Sequence, residues 1–384
     1  MHELPGIDGR FPTGLVSAQM PEVNLPEPLA FLRRNFQYAE NTKIIRIINA
    51  ALEQLRPVVE RAVSQYGPEK IGVCLGSCDI GSEAVFLAQH VFEDHSLHFQ
   101  SASFSAEFIT RKFGITGPAF TIATACASGA NAIVRGAELI RAGYCDAVIA
   151  GGADVVTESV FAGFHSLEAL SEGLTNPFSK NRKGINLGEG AAFFLLEPEK
   201  NSGVELLGAG ESADAYHMTA PAMDGVGPAN AMKAALLDAG ITSDQIGYVN
   251  FHGTGTVLND KSEALAMKAV FGAASVPASS TKPITGHALG AAGALEAAIC
   301  WMVLTEQRGL PVHCWDGISD EEISFTPIGS SGEEAWRFEE TPSICDPAPR
   351  PGRVRTKGPQ VPLCMSNSFG FGGCNVSLVL GRCD

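Results

Sequence analysis

The stretch TIATACASGANAIVRGAELI, residues 121–140, joins a strand-like run to a helical pattern through a single cysteine. A short apolar and β-branched run comes first, which is typical of a buried strand. Small or apolar residues then recur at helical spacing, at positions 130, 133, 134, 137 and 140. We therefore predict a strand over 120–125, a helix over 127–143 with one buried face, and a turn between them that carries Cys126.

Cys126 falls at the amino end of the predicted helix. At such a position the helix dipole and the unpaired N–H groups favour a thiolate and can bind a developing oxyanion. A buried cysteine can instead serve as a small hydrophobic residue. The neighbours Ala125, Ala127, Ser128 and Gly129 are all small, however, and leave room for a substrate at the sulfur. We therefore predict that Cys126 is a nucleophile on a sharp strand-to-helix turn.

Composition describes an ordinary globular chain. Its 384 residues, of which 45% are hydrophobic, can bury a large core in one big domain or in two tightly packed halves. The formal net charge of −15 argues against a nucleic-acid partner, because phosphates would repel such a surface.

Ten cysteines are scattered along the chain without a CxxC pair, which is typical of free thiols in a reducing compartment. The amino terminus shows no signal-peptide pattern, and no stretch approaches the roughly 18 apolar residues of a spanning helix. We expect a cytoplasmic protein with no membrane partner.

Strand and helix patterns alternate along the chain, which predicts an α/β fold with parallel strands. Strand-like runs cover 70–77, 120–125, 146–152 and 191–198 before a hydrophilic segment at 197–203. The same alternation then restarts, with helical patterns over 228–239, 260–271 and 289–306. The simplest interpretation is two similar α/β halves, residues 1–200 and 201–384.

Two histidines each follow a strand-like run and precede a helical pattern. His252 lies in NFHGTGTVLNDKSEA, 250–264, and His287 in TKPITGHALGAAGALEAA, 281–298. The carboxyl ends of strands are where α/β folds usually hold their chemistry. A lone histidine is often structural, but a pair beside a thiol can orient or deprotonate it, or stabilise an enolate oxygen.

Two charged residues accompany the histidines. Lys282 lies five positions before His287, and a buried ammonium there would need a partner. Glu263 is the obvious carboxylate, although its spacing from Asp260 also fits a capping box at a helix start. For Glu263 the ion pair and the cap remain open alternatives.

The segment SNSFGFGGCN, 366–375, concentrates glycines around Phe369, Gly370 and Phe371. Glycine permits unusual φ values and close backbone approach. The segment could therefore supply an N–H to an oxyanion or swing an aromatic gate, or it could be no more than a tight hairpin turn.

Together, TACASG, HGTGTVLND, TKPITGHALGAAG and SNSFGFGG resemble the motifs of the β-ketoacyl-acyl carrier protein synthases. These are the condensing enzymes of fatty acid and polyketide assembly, and they share the thiolase fold. The motifs match in order and spacing from about residue 70 onward. The resemblance implies a thiolase-like fold with α-β-α-β-α layers, a condensing acyltransferase, and neither a metal nor an organic cofactor.

The resemblance also implies a role for each matching residue. Cys126 accepts the acyl group, and His252 and His287 promote malonyl decarboxylation and stabilise the enolate. Lys282 is the family's active-site lysine, with Glu263 as its associated carboxylate. The N–H groups of Cys126 and Phe371 form the oxyanion hole. Phe371, with Phe369 and Gly370 beside it, gates the acyl pocket, and Thr254 and Thr256 lie near the pantetheine arm.

The implied partner is an acidic acyl carrier protein that delivers first the acyl and then the malonyl group, so basic patches could dock it. The sequence offers three clusters, of which we favour Lys43 with Arg46, although each could simply be a solvated face. They are Arg33, Arg34, Lys43 and Arg46; Lys180, Arg182 and Lys183; and Arg350, Arg353, Arg355 and Lys357. The family also implies a homodimer or a heterodimer with a chain-length factor.

Some positions depart from the family pattern. The start MHELPGIDGRFPTGLVS lacks the usual strand and glycine turn, and Ser179 and Lys183 replace usual acidic residues. With the compact segment 85–112, this resembles the branch that serves aryl polyene and related polyketide-type pathways, while housekeeping fatty acid elongation remains open.

Other members of the superfamily are alternatives. A thiolase would carry a second cysteine, for which Cys374 is the candidate, but HGTGT has no place there. Starter-unit synthases with a Cys-His-Asn set lack the lysine five residues before the histidine. A catalytically silent chain-length factor typically loses the nucleophile, whereas this chain retains Cys126 and both histidines.

Overall fold

The computed structural model describes residues 42–79, 81–82, 101–198, 203–272, 276–306, 309–323 and 362–382, with strand residues 13–14 and 335–336. Within these ranges the helices are α1 (Lys43–Tyr66), α2 (Ser103–Phe113), α3 (Ser128–Arg141), α4 (Glu158–Ser166), α5 (Val226–Ala239), α6 (Val257–Phe271), α7 (Lys282–Thr285) and α8 (Ala292–Glu306). The strands are β1 (Thr13–Gly14), β2 (Ile71–Gly76), β3 (Ala119–Ile122), β4 (Ala147–Asp154), β5 (Leu187–Gly188), β6 (Gly190–Leu196), β7 (Val204–Ala213), β8 (Tyr248–Asn250), β9 (Ala278–Ser279), β10 (Leu310–Pro311), β11 (Ala335–Trp336), β12 (Leu363–Gly370) and β13 (Cys374–Arg382).

Two sheets form the framework, and each mixes parallel with antiparallel pairs. The first has the order β3-β2-β4-β6, in which β6 alone runs antiparallel to its neighbour. The second has the order β7-β13-β12-β8-β9, with β8 parallel to β9 and β12, and β13 antiparallel to β12 and β7. The expectation of parallel strands therefore holds for β3-β2-β4 in the first sheet and for β12-β8-β9 in the second. In addition, β1 pairs with β5 and β10 with β11.

Helices cover both faces of each sheet. α1 and α2 pack on the outer face of the first sheet, and α5 with α6 lies on the outer side of the second. α3 and α8 pack against each other between the two sheets, where a third hydrophobic cluster contains residues of both sheets. The result is an α-β-α-β-α layering, which confirms the predicted architecture.

The central position of α3 changes the burial expected from its sequence. Every residue from Ser128 to Val134 is buried, rather than a single stripe. A helix between two sheets has no solvent face over these turns, and this explains why small residues such as Gly129 and Ala130 occupy it. The amino end of α3, with Cys126 before it, is therefore placed between the two sheets.

The other central helix is unusually apolar. Leu289–Glu306, which is α8 with the turn before it, has a mean hydropathy of 1.3 over 18 residues. Contrary to the expectation from sequence, this segment is long and apolar enough to span a membrane by length and composition alone. However, 61% of it is buried in the protein, because it packs between the sheets.

Most predicted elements agree with the observed ones to within a few residues. The predicted strand at 120–125 ends earlier, at Ile122, because the chain turns before the cysteine. The amino-terminal stretch, apart from β1, the boundary residues 199–202 and much of 85–112 lie outside the described residues.

Candidate active site

Cys126 lies on a tight turn between β3 and α3. Ala125 has the left-handed φ of 50°, which a non-glycine residue rarely adopts. The Ser128 hydroxyl holds this turn: it donates to the Ala125 carbonyl at 2.6 Å and accepts the Thr124 N–H at 2.9 Å. The Cys126 side chain is thereby directed toward His287.

The structure brings Cys126 and the two predicted histidines together. His287 Nε2 lies 3.1 Å from Cys126 Sγ, within hydrogen-bond distance for a sulfur. The His252 and His287 rings are 5.3 Å apart in an edge-to-face arrangement. Ligand atoms of all three residues lie within 4.8 Å of one another, and all three side chains are buried. A transition metal could bind such a set, so the prediction of no metal rests on the family resemblance alone.

Protonation at the site differs from the sequence-based expectation. Burial raises the pKa of the Cys126 thiol to about 11, although Lys282 and the N–H groups of Phe371 and Cys126 act in the opposite direction. The favourable helix-end environment is present but does not outweigh desolvation. The thiol rather than the thiolate is therefore the favoured form at neutral pH, although the helix-end groups act in the expected direction. Burial, reinforced by the positive charge of Lys282, holds the pKa of both histidines well below its usual value, so both are neutral.

Lys282 is buried beside His252, and its carboxylate partner is not the expected Glu263. Its ammonium forms an ion pair with Glu296 and donates to the His252 carbonyl. It also lies 3.4 Å from His252 Nδ1. Because an ammonium can only donate, Nδ1 accepts and the ring proton of His252 lies on Nε2.

Glu263 neither pairs directly with Lys282 nor caps α6. Its carboxylate accepts the N–H groups of His252 at 2.9 Å and Gly253 at 2.8 Å. α6 begins earlier than predicted, after Thr256, so Glu263 lies in the second turn of the helix and reaches back to the loop. Both sequence alternatives are therefore corrected: Glu263 fixes the backbone on either side of the His252 carbonyl.

The glycine segment approaches the cysteine backbone closely. A Cβ on Gly370 would lie 3.2 Å from Cys126 N, so only glycine lets β12 end there without displacing the turn. The following Phe371 directs its N–H toward the sulfur, and its ring lies 5.8 Å from that of Phe164. Phe369 is buried with its ring 6.1 Å from that of His252. Residues 369–371 thus line one side of the site.

A cavity of about 350 Å³ leads to the sulfur. Thr254 and Thr256 line it, with their hydroxyls 2.9 Å apart. Its other walls are largely apolar and include Phe164, Leu167, Ile185, Leu258, Phe369 and Phe371. Cys126 is therefore accessible to a long, mostly apolar substrate despite being only 5% exposed.

The three basic clusters differ in how many of their cations are exposed and free of ion pairs in the part of the chain that the structure describes. Lys43 lies 2.5 Å from the Glu189 carboxylate, so the favoured cluster is partly neutralised. Arg182 is buried in an ion pair with Asp320, but Lys180 and Lys183 are exposed, and Lys183 lines the cavity mouth. Arg33, Arg34 and the four cations of the third cluster lie outside the described residues.

Sequence reasoning missed Glu296. The available signal was a single acidic residue in the otherwise apolar run AGALEAAICWMVL. A lone carboxylate in a core helix needs a buried partner. Lys282 provides that partner.

Two family models match most of the chain. The beta-ketoacyl synthase N-terminal domain matches residues 29–202, and the C-terminal domain matches residues 204–313. The chain is 35% identical over 345 residues to 3-oxoacyl-[acyl-carrier-protein] synthase 2 of Vibrio cholerae, covering 83% of this chain and 78% of that protein. It is 32% identical over 370 residues to the Staphylococcus aureus protein of the same name, covering 89% and 83%.

Solved structures show the same similarity. A chain in the structure of the ketosynthase ApeO in complex with its chain length factor ApeC, from Xenorhabdus doucetiae, is 36% identical with a TM-score of 0.82, covering 98% of this chain and 88% of that one. A beta-ketoacyl synthase from Burkholderia phymatum is 29% identical with a TM-score of 0.70, covering 95% and 87%.

Proposed function

Because this chain belongs to the β-ketoacyl synthase family, we propose that it extends acyl chains by decarboxylative condensation, with Cys126 as the acyl acceptor. The resemblance predicted from the four motifs, the thiolase-like fold and the condensing acyltransferase activity are confirmed. The roles of individual residues are our proposal, and the geometry around Cys126 supports them.

In the first half-reaction, an acyl group moves from the carrier protein to Cys126. The thiol is protonated at neutral pH, so its proton must leave as the sulfur attacks the thioester carbonyl. Neutral His287, 3.1 Å away, can accept that proton. The N–H groups of Cys126 and Phe371 bind the developing oxyanion, and the carrier thiol leaves with the proton.

In the second half-reaction, malonyl-carrier protein loses carbon dioxide, and the electron pair remains as an enolate. The Nε2–H of His252 donates to the enolate oxygen, since Lys282 keeps Nδ1 as an acceptor. His287 donates beside it from Nε2 once the neutral ring carries its proton there instead of on Nδ1. The carbanion then attacks the Cys126 thioester, the C–S bond breaks with its electron pair leaving on sulfur, and the product is a β-ketoacyl chain longer by two carbons. The Cys126 thiolate takes a proton from solvent and the cycle closes.

One observation carries this proposal: a buried thiol lies in hydrogen-bond contact with one of two neutral imidazoles at the base of an apolar cavity. The test is incubation of purified protein with acyl- and malonyl-carrier proteins, with mass spectrometry of the products. We expect a β-ketoacyl product from the native chain and none from Cys126→Ala, with Cys145→Ala as an active control far from the site. Product formation by Cys126→Ala at the native rate would contradict the proposal.

The partners follow from the family. We propose an acyl carrier protein as substrate donor and either a second copy or a chain-length factor as subunit partner. The complex between ApeO and its chain length factor supports the second arrangement. Mass photometry of the chain alone and with a coexpressed chain-length factor would separate the two arrangements.

Two broader proposals remain. The chain consists of two thiolase-like halves, residues 1–200 and 201–384; the separate matches of the two family models support this. It functions in the cytoplasm, a proposal supported by the free thiols of the eight cysteines in the described ranges.

A further inference from the structure

His313 is a buried histidine that no motif predicted. It follows β10 and is 2% exposed. Its Nδ1 accepts the N–H of Ser280 at 3.0 Å, and its Nε2 lies 2.9 Å from the Pro177 carbonyl. Because Nδ1 accepts, the ring is neutral and its proton lies on Nε2, which donates to Pro177. Burial lowers the pKa of His313 to about 4, so this arrangement persists at physiological pH.

The hydrogen bond between Ser280 and His313 Nδ1 connects His313 to the loops that carry His252 and Lys282. The Ser280 hydroxyl donates to the Gly253 carbonyl at 2.7 Å and accepts the Lys282 N–H at 3.3 Å. Gly253 directly follows His252, and Lys282 begins α7. One buried serine therefore fixes the backbone beside both groups, and His313 fixes the backbone of that serine.

The hydrogen bond from His313 Nε2 to the Pro177 carbonyl connects His313 to the 252–255 loop by a second route. Phe178 has a left-handed φ of 62°, and its N–H donates to Asp260 at 2.8 Å. The other carboxylate oxygen of Asp260 accepts the Gly255 N–H at 3.2 Å. By holding the Pro177 carbonyl, His313 stabilises this strained residue and therefore the Asp260 contact to the 252–255 loop.

Cys126 lies outside this network. Its turn is held by Ser128, and the backbone N–H of His287 donates to Asn186 at 2.7 Å. A change at His313 should therefore affect His252 and Lys282 more than the groups that load the acyl chain.

We propose that His313 is a positioning residue for the condensation half-reaction: it orients His252 and Lys282 through Ser280 without touching substrate. The proposal rests on the proposed function and adds a residue that supports one of its two steps.

Three variants separate the hydrogen bond to Ser280 from the hydrogen bond to Pro177. His313→Leu removes both contacts, His313→Asn keeps an acceptor near Nδ1, and His313→Gln keeps a donor near Nε2. The matched control is Leu52→Ala, which removes a buried side chain from the core on the outer face of the first sheet. For each protein, intact-mass spectrometry gives the rate of acyl loading on Cys126, a single-turnover assay gives the rate of condensation, and thermal unfolding gives stability.

A misplacement of about 1 Å can cost a rate on the order of 100-fold. We expect His313→Leu and His313→Gln to lower condensation by about 10- to 100-fold while loading changes less than about twofold. His313→Asn should retain condensation, and Leu52→Ala should leave the ratio of the two rates unchanged.

Equal losses in both half-reactions, or a native ratio in His313→Leu, would overturn the positioning role while leaving the proposed function intact. Equal condensation in the Asn and Gln variants would overturn the route through Ser280. A native protein that neither loads Cys126 nor condenses would overturn both proposals, which distinguishes the two failures.

Discussion

The two sides of the active site are built in different ways. The Cys126 side is local: one strand, one turn and one helix place the thiol, and Ser128 holds the turn with bonds to residues no more than four positions away. The histidine side is assembled over long range, where Lys282 pairs with Glu296 and the Ser280 backbone N–H bonds to His313.

This difference explains what each side requires. A turn between a strand and a helix can present a side chain with backbone geometry alone. Holding two neutral imidazoles beside a buried ammonium requires compensating carboxylates and backbone acceptors, since an unpaired buried charge is costly. Function on the histidine side therefore depends on supporting residues as well as on the histidines, among them Glu296 and His313.

The two histidines should have different effects when each is removed separately. His287→Ala should slow both acyl loading and condensation, because the imidazole contacts the sulfur. His252→Ala should load Cys126 almost normally and condense about 10²- to 10⁴-fold more slowly. Single-turnover mass spectrometry measures both steps, and a His252→Ala variant that is equally impaired in loading would show that the two sides do not act separately.

The ion pair on the histidine side should matter for stability as well as rate. Glu296→Ala leaves Lys282 buried without its carboxylate and should lower the free energy of unfolding by about 3–5 kcal/mol. Urea denaturation measures this change.

The double variant Lys282→Met with Glu296→Leu is the control for that experiment. It removes both charges at similar volume, so it should recover much of the lost stability while condensation remains impaired. A single variant as stable as the native chain would show that the pair is not needed for folding.

The contrast also marks what the sequence could predict. The strand, turn and helix around Cys126 were predicted to within a few residues, because their pattern is local. His252, His287 and the glycine segment were recognisable as motifs in loops after strands. The partner of Lys282 was not: Glu263 belongs to the same motif as His252 and was the expected carboxylate, whereas Glu296 is the partner because α8 passes between the sheets.

The protonation states of Cys126 and the two histidines could not be predicted from the sequence, because they depend on burial, which is a property of the folded chain. The helix end beside Cys126 could be inferred from sequence, but its effect on the thiol is outweighed by desolvation. A stripe pattern in α3 similarly gave no hint that a second sheet would cover its opposite face.

The raised pKa of Cys126 predicts an unusual pH dependence for the rate at which this thiol is alkylated. With a pKa of about 11, the thiolate fraction rises tenfold per pH unit up to that value and is about 10⁻⁴ at pH 7. Alkylation of Cys126 by iodoacetamide, followed by peptide mapping, should therefore keep accelerating between pH 7 and 10. The same peptide in urea-unfolded chain should level off near about pH 9, around the ordinary thiol value. A plateau near pH 8 in the folded protein would contradict the pKa shift.

A small change in KM is expected from the charge at the mouth of the cavity. Lys183 is exposed there, and a carrier protein is acidic, so Lys183→Glu should raise the KM for malonyl-carrier protein by about two- to fivefold with little change in kcat. The effect should shrink as ionic strength increases. Lys268→Glu, in the last turn of α6, is the matched charge control. If both variants raise KM equally, net charge rather than the position of Lys183 would account for the change.

The proposal that Cys126 carries the acyl group can be tested by following the Cys126 peptide through one turnover. Rapid-quench mass spectrometry after mixing with acyl-carrier protein should show the acyl group on Cys126 and on no other cysteine. Addition of malonyl-carrier protein should remove that group at the rate at which the β-ketoacyl product appears. Product that forms without a Cys126 adduct, or an adduct that persists while product accumulates, would contradict the account.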